Sequence, residues 1–133
     1  MFAHARILVA DDDVELLGTI AAALERAGAE VVRAESGAEL LEHVADEDPF
    51  DLVITDIAMP WLSGLYAMPS ARTAGFATPV IVMTASKDDR LPDQIRSLGR
   101  NAVLIGKPFD LVDLESTAFR LLSFGGLNDR PAG

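Results

Sequence analysis

Short apolar runs alternate along the chain with stretches whose apolar residues recur three and four positions apart. Most of the runs are rich in Val, Ile and Leu, which is typical of strands buried on both faces of a sheet. The runs lie at 6–10, 30–34, 52–55, 79–83 and 102–105, and helical spacing follows at 14–28, 36–44, 64–72, 91–98 and 111–121. The pattern therefore predicts five strands alternating with five helices.

Strands that alternate with helices form a parallel sheet, because parallel neighbours need crossover connections, and such crossovers are right-handed. We therefore predict one α/β domain, a doubly wound five-stranded parallel sheet with five helices. Asp13 and Asp110 are expected to cap the first and last helices, and Val14 to begin the buried face of the first. A pair of glycines should end the last helix, leaving 125–133 as a flexible tail after a domain at 1–124.

The composition narrows the classes of function. The 133 residues are 50% hydrophobic, enough for a core, and they include no cysteine, which excludes disulfides and thiolate metal sites. The formal net charge is -10, and no run of Lys or Arg is present to follow a phosphate backbone. No apolar run approaches the length of a membrane span. We therefore expect a soluble, cytoplasmic protein that does not bind nucleic acid directly.

Five polar residues are predicted to meet at one edge of the sheet, because the carboxyl ends of all parallel strands point the same way. They are Asp11 and Asp12 after the first strand, Asp56 after the third, Thr84 after the fourth and Lys107 after the fifth. Ligands of open α/β sheets bind at this edge. An isolated aspartate at this position would more often cap the next helix or end a strand, but the other four residues favour a chemical role for Asp56.

That setting favours phosphoryl chemistry. Three carboxylates placed together repel one another unless a cation holds them, and oxygen ligands without Cys or His favour Mg²⁺ over Zn²⁺. Lys107 and Thr84 add a positive charge and a hydroxyl donor for the equatorial oxygens of a transferring phosphoryl group. Asp56 is therefore predicted to be an attacking carboxylate that forms an aspartyl phosphate.

Four motifs, in this order and at these separations, resemble those of the receiver domains of two-component response regulators. They are ILVADDD at 7–13, DLVITD at 51–56 with Met59-Pro60 and Gly64, PVIVMTA at 79–85, and KPF at 107–109. The resemblance extends from Arg6 to Phe124. It implies a flavodoxin-like fold with strand order 2-1-3-4-5.

The resemblance also implies roles for individual residues. Asp56 would accept the phosphoryl group of a phosphohistidine on a sensor histidine kinase or histidine phosphotransfer protein. Mg²⁺ would be held by Asp11, Asp12, Asp56 and the backbone carbonyl of Ala58, while Thr84 and Lys107 would contact the phosphoryl oxygens, with a cis bond between Lys107 and Pro108. Such a protein catalyses its own phosphorylation and dephosphorylation, turns over no external substrate, and presents an altered face to a downstream target protein.

One departure from the family pattern bears on signalling. Leu104, three residues before Lys107, stands where the family commonly has Tyr or Phe, whose ring fills the space that the threonine hydroxyl leaves when it moves toward the phosphoryl group. We therefore predict that phosphorylation alters the face formed by the fourth and fifth helices and the fifth strand without an aromatic rotamer change. Because the lysine should contact the phosphoryl group and not the cation, Lys107→Ala is predicted to leave metal binding largely intact.

Two other functions fit part of the pattern. In a haloacid-dehalogenase-type phosphatase, Asp11 and Asp13 would be the nucleophile and the acid, but this interpretation leaves Asp56 without a role and reverses that family's order of lysine and paired acids. A receiver-like interaction module that takes no phosphate would keep the fold and lose the chemistry. Turnover of a phosphate monoester would identify the first alternative, and failure to label with any donor would identify the second.

Overall fold

The computed structural model describes residues 4–44, 50–56, 78–96 and 102–123 of the chain. Five strands lie where the apolar runs predict them: β1 (Arg6–Ala10), β2 (Glu30–Ala34), β3 (Leu52–Asp56), β4 (Val80–Thr84) and β5 (Ala102–Gly106). β1 and β2 have the predicted bounds, whereas the other three strands each end one residue later than the apolar pattern. Their last residues are polar or glycine, yet they keep strand pairing, with Asp56 opposite Met83 and Thr84 opposite Gly106.

All neighbouring strands are parallel, in the order β2-β1-β3-β4-β5. This confirms the predicted sheet and its 2-1-3-4-5 order. The chain winds outward to β2 on one side of β1 and to β3, β4 and β5 on the other side. The point of reversal therefore lies between β1 and β3, and in open parallel sheets the crevice beyond the strand ends at this point is where ligands bind.

Four helices fall within the described residues: α1 (Val14–Arg26), α2 (Gly37–Val44), α3 (Leu91–Arg96) and α4 (Leu111–Leu121). The helix predicted at 64–72 lies outside the described residues. α1 and α4 pack on one face of the sheet, and α2 and α3 on the other. None of these four helices is long and apolar enough to cross a membrane.

Aliphatic side chains fill a separate core on each face of the sheet. Because successive side chains of a strand point to opposite faces, Ile54 packs under α1 and α4 while its neighbour Val53 packs under α2 and α3. β3 and β4 are buried at all five of their positions. The two strands that end in Asp56 and Thr84 are thus held from both faces, which fixes the backbone at the carboxyl edge.

The ends of α1 show one correct prediction and one wrong one. Asp13 caps the helix, with its side chain accepting a hydrogen bond from the Leu16 N–H at 3.2 Å, and Gly28, with a φ of 104°, follows the other end. Val14 is 58% exposed, so its predicted place on the buried face is wrong. Helical side chains lean toward the helix N-terminus, which directs Val14 past the end of the sheet and makes Leu17 the first buried residue.

The start of α4 also differs from the prediction. Asp110 occupies the N-cap position, but its side chain accepts no capping hydrogen bond. Only its backbone carbonyl takes part, accepting from the Leu114 N–H at 3.1 Å. Asp110 is exposed, so water solvates the carboxylate without help from the helix.

Thr55 carries a buried hydroxyl in the middle of the sheet. Its Oγ1 has no hydrogen-bond partner in the part of the chain that the structure describes, and the residue has no exposed surface. A buried, unpaired hydroxyl costs about 1–3 kcal/mol, and valine has the same branched shape without it. We therefore expect Thr55→Val to raise the free energy of unfolding by about 1 kcal/mol, measured by urea denaturation.

Thr117 provides the matched control for this substitution. It is also buried, but its hydroxyl donates to the Asp113 carbonyl at 2.9 Å. Thr117→Val removes a hydrogen bond that is satisfied, so it should leave stability unchanged or lower it. A loss of stability on Thr55→Val would contradict the expectation.

Candidate functional site

The carboxylates of Asp11, Asp12 and Asp56 meet at the carboxyl edge of the sheet. Asp11 directly follows β1, Asp56 is the last residue of β3, and the pairing of Ala10 with Thr55 brings the two strand ends level. One ligand oxygen from each of the three acids lies within 4.8 Å of the others. The predicted acid cluster is therefore present in the folded chain.

The three acids differ in their exposure to solvent. Asp11 is fully buried and Asp56 is 5% exposed, whereas Asp12 is exposed. Buried carboxylates need charged or hydrogen-bonding partners, because a lone buried charge is very costly. Asp12 needs none, since water solvates it at the mouth of the cluster.

Lys107 supplies that partner for both buried acids. Its Nζ donates to Asp11 Oδ2 at 2.9 Å and to Asp56 Oδ2 at 3.1 Å. The residue directly follows β5, its backbone N–H donates to the Thr84 carbonyl at 2.6 Å, and its peptide bond to Pro108 is cis. The ammonium thus bridges the nucleophile candidate and its neighbouring acid.

The second oxygen of Asp11 is held by the start of α1. Asp11 Oδ1 accepts a hydrogen bond from the Asp13 N–H at 2.8 Å. With Lys107 on Oδ2, both oxygens of this carboxylate have a fixed donor. Its orientation is therefore set before any ligand arrives, which reduces the reorganisation that binding would require.

Burial and charge shift two pKa values in the site. Burial raises the pKa of Asp11 above its ordinary value of 3.8, although the Asp13 N–H and the Lys107 ammonium favour the ionised form. Burial opposes the charge of Lys107, but its hydrogen bonds to Asp11 and Asp56 outweigh that effect and raise its pKa above 10.5. The lysine is therefore protonated at neutral pH, and its charge is what makes two buried carboxylates tolerable.

Thr84 completes the edge as the last residue of β4. It is 3% exposed, and its Oγ1 accepts a hydrogen bond from the Ser86 N–H at 2.9 Å. The sequence pattern predicted Thr84 as a site residue but did not indicate Ser86. The available signal was the series of short polar side chains at every second position from Thr84, a spacing typical of side-chain-to-backbone turns.

Five of the six predicted site residues lie in described parts of the chain: Asp11, Asp12, Asp56, Thr84 and Lys107. The side chains of the three acids and the lysine are brought together directly, and Thr84 joins them through the backbone hydrogen bond from Lys107. Ala58, whose backbone carbonyl was expected to bind the metal, lies outside the described residues.

The donor set fits a hard divalent cation. All three clustered ligands are carboxylates, with no imidazole or thiolate among them, and Mg²⁺ characteristically takes one or two carboxylates and completes its shell with other oxygens. Asp12 opens the cluster to solvent, which leaves a path for the ion and its waters. The ammonium of Lys107 already lies against two of the same three carboxylates, so the ion and the lysine compete for their negative charge.

Lys107 also lines an apolar cavity of about 440 Å³. The cavity is lined by Leu16, Thr19, Ala85, Lys107, Pro108, Phe109 and Leu111. α1, the turn after β4 and the start of α4 thus border the same depression. The lysine forms part of both the acid cluster and this cavity.

The sequence matches the family model described as response regulator receiver domain over residues 7–119. The chain is 37% identical over 112 residues to the response regulator protein PmrA of Pseudomonas aeruginosa, covering 84% of this chain and 49% of that protein. It is 32% identical over 123 residues to the response regulator receiver protein CpdR of Brucella abortus, covering 88% of this chain and 96% of that protein. This chain spans about half the length of PmrA and most of CpdR.

Solved structures give the same result. The non-phosphorylated HemR receiver domain of Leptospira biflexa superposes with a TM-score of 0.79 at 27% identity, covering 97% of this chain and 99% of that one. The chemotaxis response regulator CheY4 of Vibrio cholerae gives a TM-score of 0.75 at 26% identity, covering 90% of this chain and 99% of that one. These matches favour a receiver domain over a haloacid-dehalogenase-type phosphatase. The chain belongs to the response regulator receiver domain family of two-component systems.

Proposed function

We propose that Asp56 accepts a phosphoryl group from a phosphohistidine in a Mg²⁺-dependent reaction. The observation that carries this proposal is the clustering of three carboxylates within 4.8 Å, with the Lys107 ammonium against Asp56 and Asp11. A carboxylate nucleophile, a cation site and a positively charged side chain are the groups that phosphoryl transfer requires. Asp11, Asp12, Asp56 and the Ala58 carbonyl would hold the ion.

The reaction needs one nucleophile and one leaving group. A carboxylate oxygen of Asp56 forms a bond to phosphorus while the phosphorus–nitrogen bond of the donor breaks, and the bonding electron pair returns to the imidazole. Lys107 then transfers its contact from the Asp56 carboxylate to the phosphoryl oxygens, and the Thr84 hydroxyl donates a hydrogen bond to one of them. Mg²⁺ supplies neutralisation of the negative charge on the phosphoryl oxygens when it is bound.

The proposed donor is a sensor histidine kinase or a histidine phosphotransfer protein, and the proposed recipient of the signal is a downstream target protein in the cytoplasm. Phosphorylation would alter the face built by α3, α4 and β5, which are the elements next to Thr84 and Lys107. The domain would act as a switch that catalyses its own phosphorylation and dephosphorylation. It would not turn over an external substrate.

Labelling with a small-molecule donor tests this proposal directly. The protein incubated with acetyl phosphate and Mg²⁺ should gain the mass of one phosphoryl group, and peptide mapping after trapping should place the group on Asp56. A chelator should prevent the gain. Labelling that survives the chelator, or that maps to another residue, would contradict the proposal.

The side chain of Leu104 provides a further prediction about signalling. Leu104 is half-buried on β5 opposite Val82 and packs against the core under α2 and α3. A ligand shifts a two-state equilibrium only through contacts that differ between the states, and a half-buried leucine offers few of them. We therefore expect Leu104→Ala to keep the affinity for beryllofluoride, a phosphoryl mimic, within about twofold of the wild type.

Leu104→Tyr is the informative comparison, because it introduces the ring and hydroxyl common in the family. Amide chemical shifts of α3, α4 and β5 should change on beryllofluoride binding in both the wild type and the Leu104→Ala variant. If Leu104→Ala abolishes that change while the domain stays folded, Leu104 is itself the switch and the prediction is wrong.

A further inference from the structure

Three hydrogen bonds in series connect Thr84 to the start of α3. The Ser86 N–H donates to Thr84 Oγ1 at 2.9 Å, the Asp88 N–H to Ser86 Oγ at 3.1 Å, and the Arg90 N–H to Asp88 Oδ1 at 2.9 Å. In each case a side-chain oxygen accepts from the amide two residues later, which is the pattern of Asx and Ser/Thr turns. We call this series the 84–90 network.

Both ends of the 84–90 network are anchored. At one end, Thr84 is buried in β4 and its carbonyl accepts the Lys107 N–H at 2.6 Å. At the other end, the Arg90 guanidinium donates to both oxygens of Asp88, at 3.1 and 2.8 Å, and the Leu91 N–H donates to the Asp88 carbonyl at 3.1 Å. This exposed polar turn therefore has a defined conformation.

The charge of Asp88 supports this role. Hydrogen bonds from Arg90, first from its side chain and then from its backbone, lower the pKa of Asp88 to about 2. The carboxylate is thus ionised throughout the physiological range, and it remains an acceptor for the Arg90 amide. The network does not depend on a change of protonation.

The consequence for Thr84 follows from the chemistry of a hydroxyl, which has one proton and two lone pairs. The Ser86 N–H occupies one lone pair, so the hydroxyl proton cannot point along that direction. Within the described parts of the chain, the Thr84 hydroxyl donates to no other group. The proton is therefore left free for an acceptor that arrives at the carboxyl edge.

We propose that Ser86 and Asp88 are positioning residues that hold the Thr84 hydroxyl as a donor toward a phosphoryl group on Asp56. This inference rests on the proposed function of Asp56. Neither residue would touch the phosphoryl group. Ser86 acts through its amide, and its hydroxyl and Asp88 keep that amide in place by fixing the turn that follows.

Beryllofluoride affinity is the test, measured by ¹⁹F NMR in the presence of Mg²⁺. Ser86→Ala and Asp88→Ala each remove one acceptor of the network, and each should weaken beryllofluoride binding by about three- to tenfold, the factor of one net hydrogen bond. Ser86→Thr and Asp88→Asn keep the acceptor oxygen and should restore the affinity. Mg²⁺ affinity, measured by calorimetry without beryllofluoride, should be unchanged in all four variants.

The same turn offers two controls. Lys87→Ala and Asp89→Ala change the intervening exposed residues, which take no part in the 84–90 network, and they should bind beryllofluoride as the wild type does. A uniform loss of affinity across all variants of the turn would overturn the proposal, because it would indicate a general effect of altering the loop.

A double-mutant cycle shows whether the effect passes through Thr84. In a Thr84→Val background, Ser86→Ala should cause no further loss of beryllofluoride affinity. If the double variant instead loses affinity by the product of the two single effects, the positioning role is overturned. Beryllofluoride affinity equal to that of the wild type in Ser86→Ala and Asp88→Ala would also overturn the positioning role, but it would not contradict the proposed function of Asp56. Failure of the wild type itself to bind beryllofluoride would remove both proposals.

Discussion

Asp56→Asn is expected to abolish phosphorylation by acetyl phosphate, with a fall in rate on the order of a thousandfold or more, because the amide is not a nucleophile of comparable strength. The substitution keeps the shape of the side chain and an oxygen that can accept from Lys107. The fold should therefore survive. Removing one of three clustered negative charges also relieves repulsion, so the melting temperature should not fall.

Asp13→Asn is the matched control for this loss of charge. Asp13 lies beside the cluster and caps α1, and asparagine serves as well as aspartate at an N-cap. This variant should take up phosphoryl groups at a rate close to that of the wild type. Intact-protein mass spectrometry over a time course measures both variants. Equal labelling of Asp56→Asn and Asp13→Asn would show that another residue is the acceptor.

Lys107→Ala is expected to tighten Mg²⁺ binding. The sequence predicts little change, but the structure places the ammonium 2.9 Å from Asp11 Oδ2 and 3.1 Å from Asp56 Oδ2, on two of the three carboxylates that would hold the ion. Binding the ion is expected to displace the ammonium from one of these carboxylates, which breaks one charge-assisted hydrogen bond worth about 1.5–3 kcal/mol. Without the lysine that cost disappears, so the dissociation constant should fall by about ten- to hundredfold.

The same variant should hold a phosphoryl group less well, since its oxygens lose the ammonium. In Lys107→Ala, the Mg²⁺ affinity measured by calorimetry should therefore rise, while the beryllofluoride affinity measured by ¹⁹F NMR should fall. Lys87→Ala is the matched control, because it removes the other lysine of the chain from an exposed turn. Unchanged Mg²⁺ affinity in Lys107→Ala would mean that the lysine leaves the acids at no cost, as the sequence alone suggests.

The sheet could be predicted from the sequence because strands buried on both faces must be apolar throughout. Periodicity alone also placed Asp11, Asp56 and Lys107 at a common edge, since parallel strands end together. The apolar pattern ends one residue before the observed ends of β3 and β4, because their last paired residues are the polar Asp56 and Thr84. The polar site residues thus lie at the ends of strands, where an apolar pattern cannot show how far the backbone pairing extends.

Side-chain contacts were the part that the sequence could not supply. It placed Lys107 near the acids but not on two of their oxygens, because that depends on the path of a flexible side chain. The sequence did not predict the conformation of 87–90, because each side-chain-to-backbone hydrogen bond there is local and leaves no hydrophobic pattern. It assigned a capping bond to Asp110, since composition cannot tell whether a carboxylate faces the helix or water.

The ion pair of Lys107 with Asp11 joins residues 96 positions apart. During synthesis, Asp56 leaves the ribosome well before Lys107, and it cannot form the complete site until β5 has paired with β4. β5 is also an edge strand, paired with a neighbour on one side only. An unfinished or partly unfolded copy therefore lacks the ammonium beside Asp11 and Asp56, so the site is complete only when the sheet is complete.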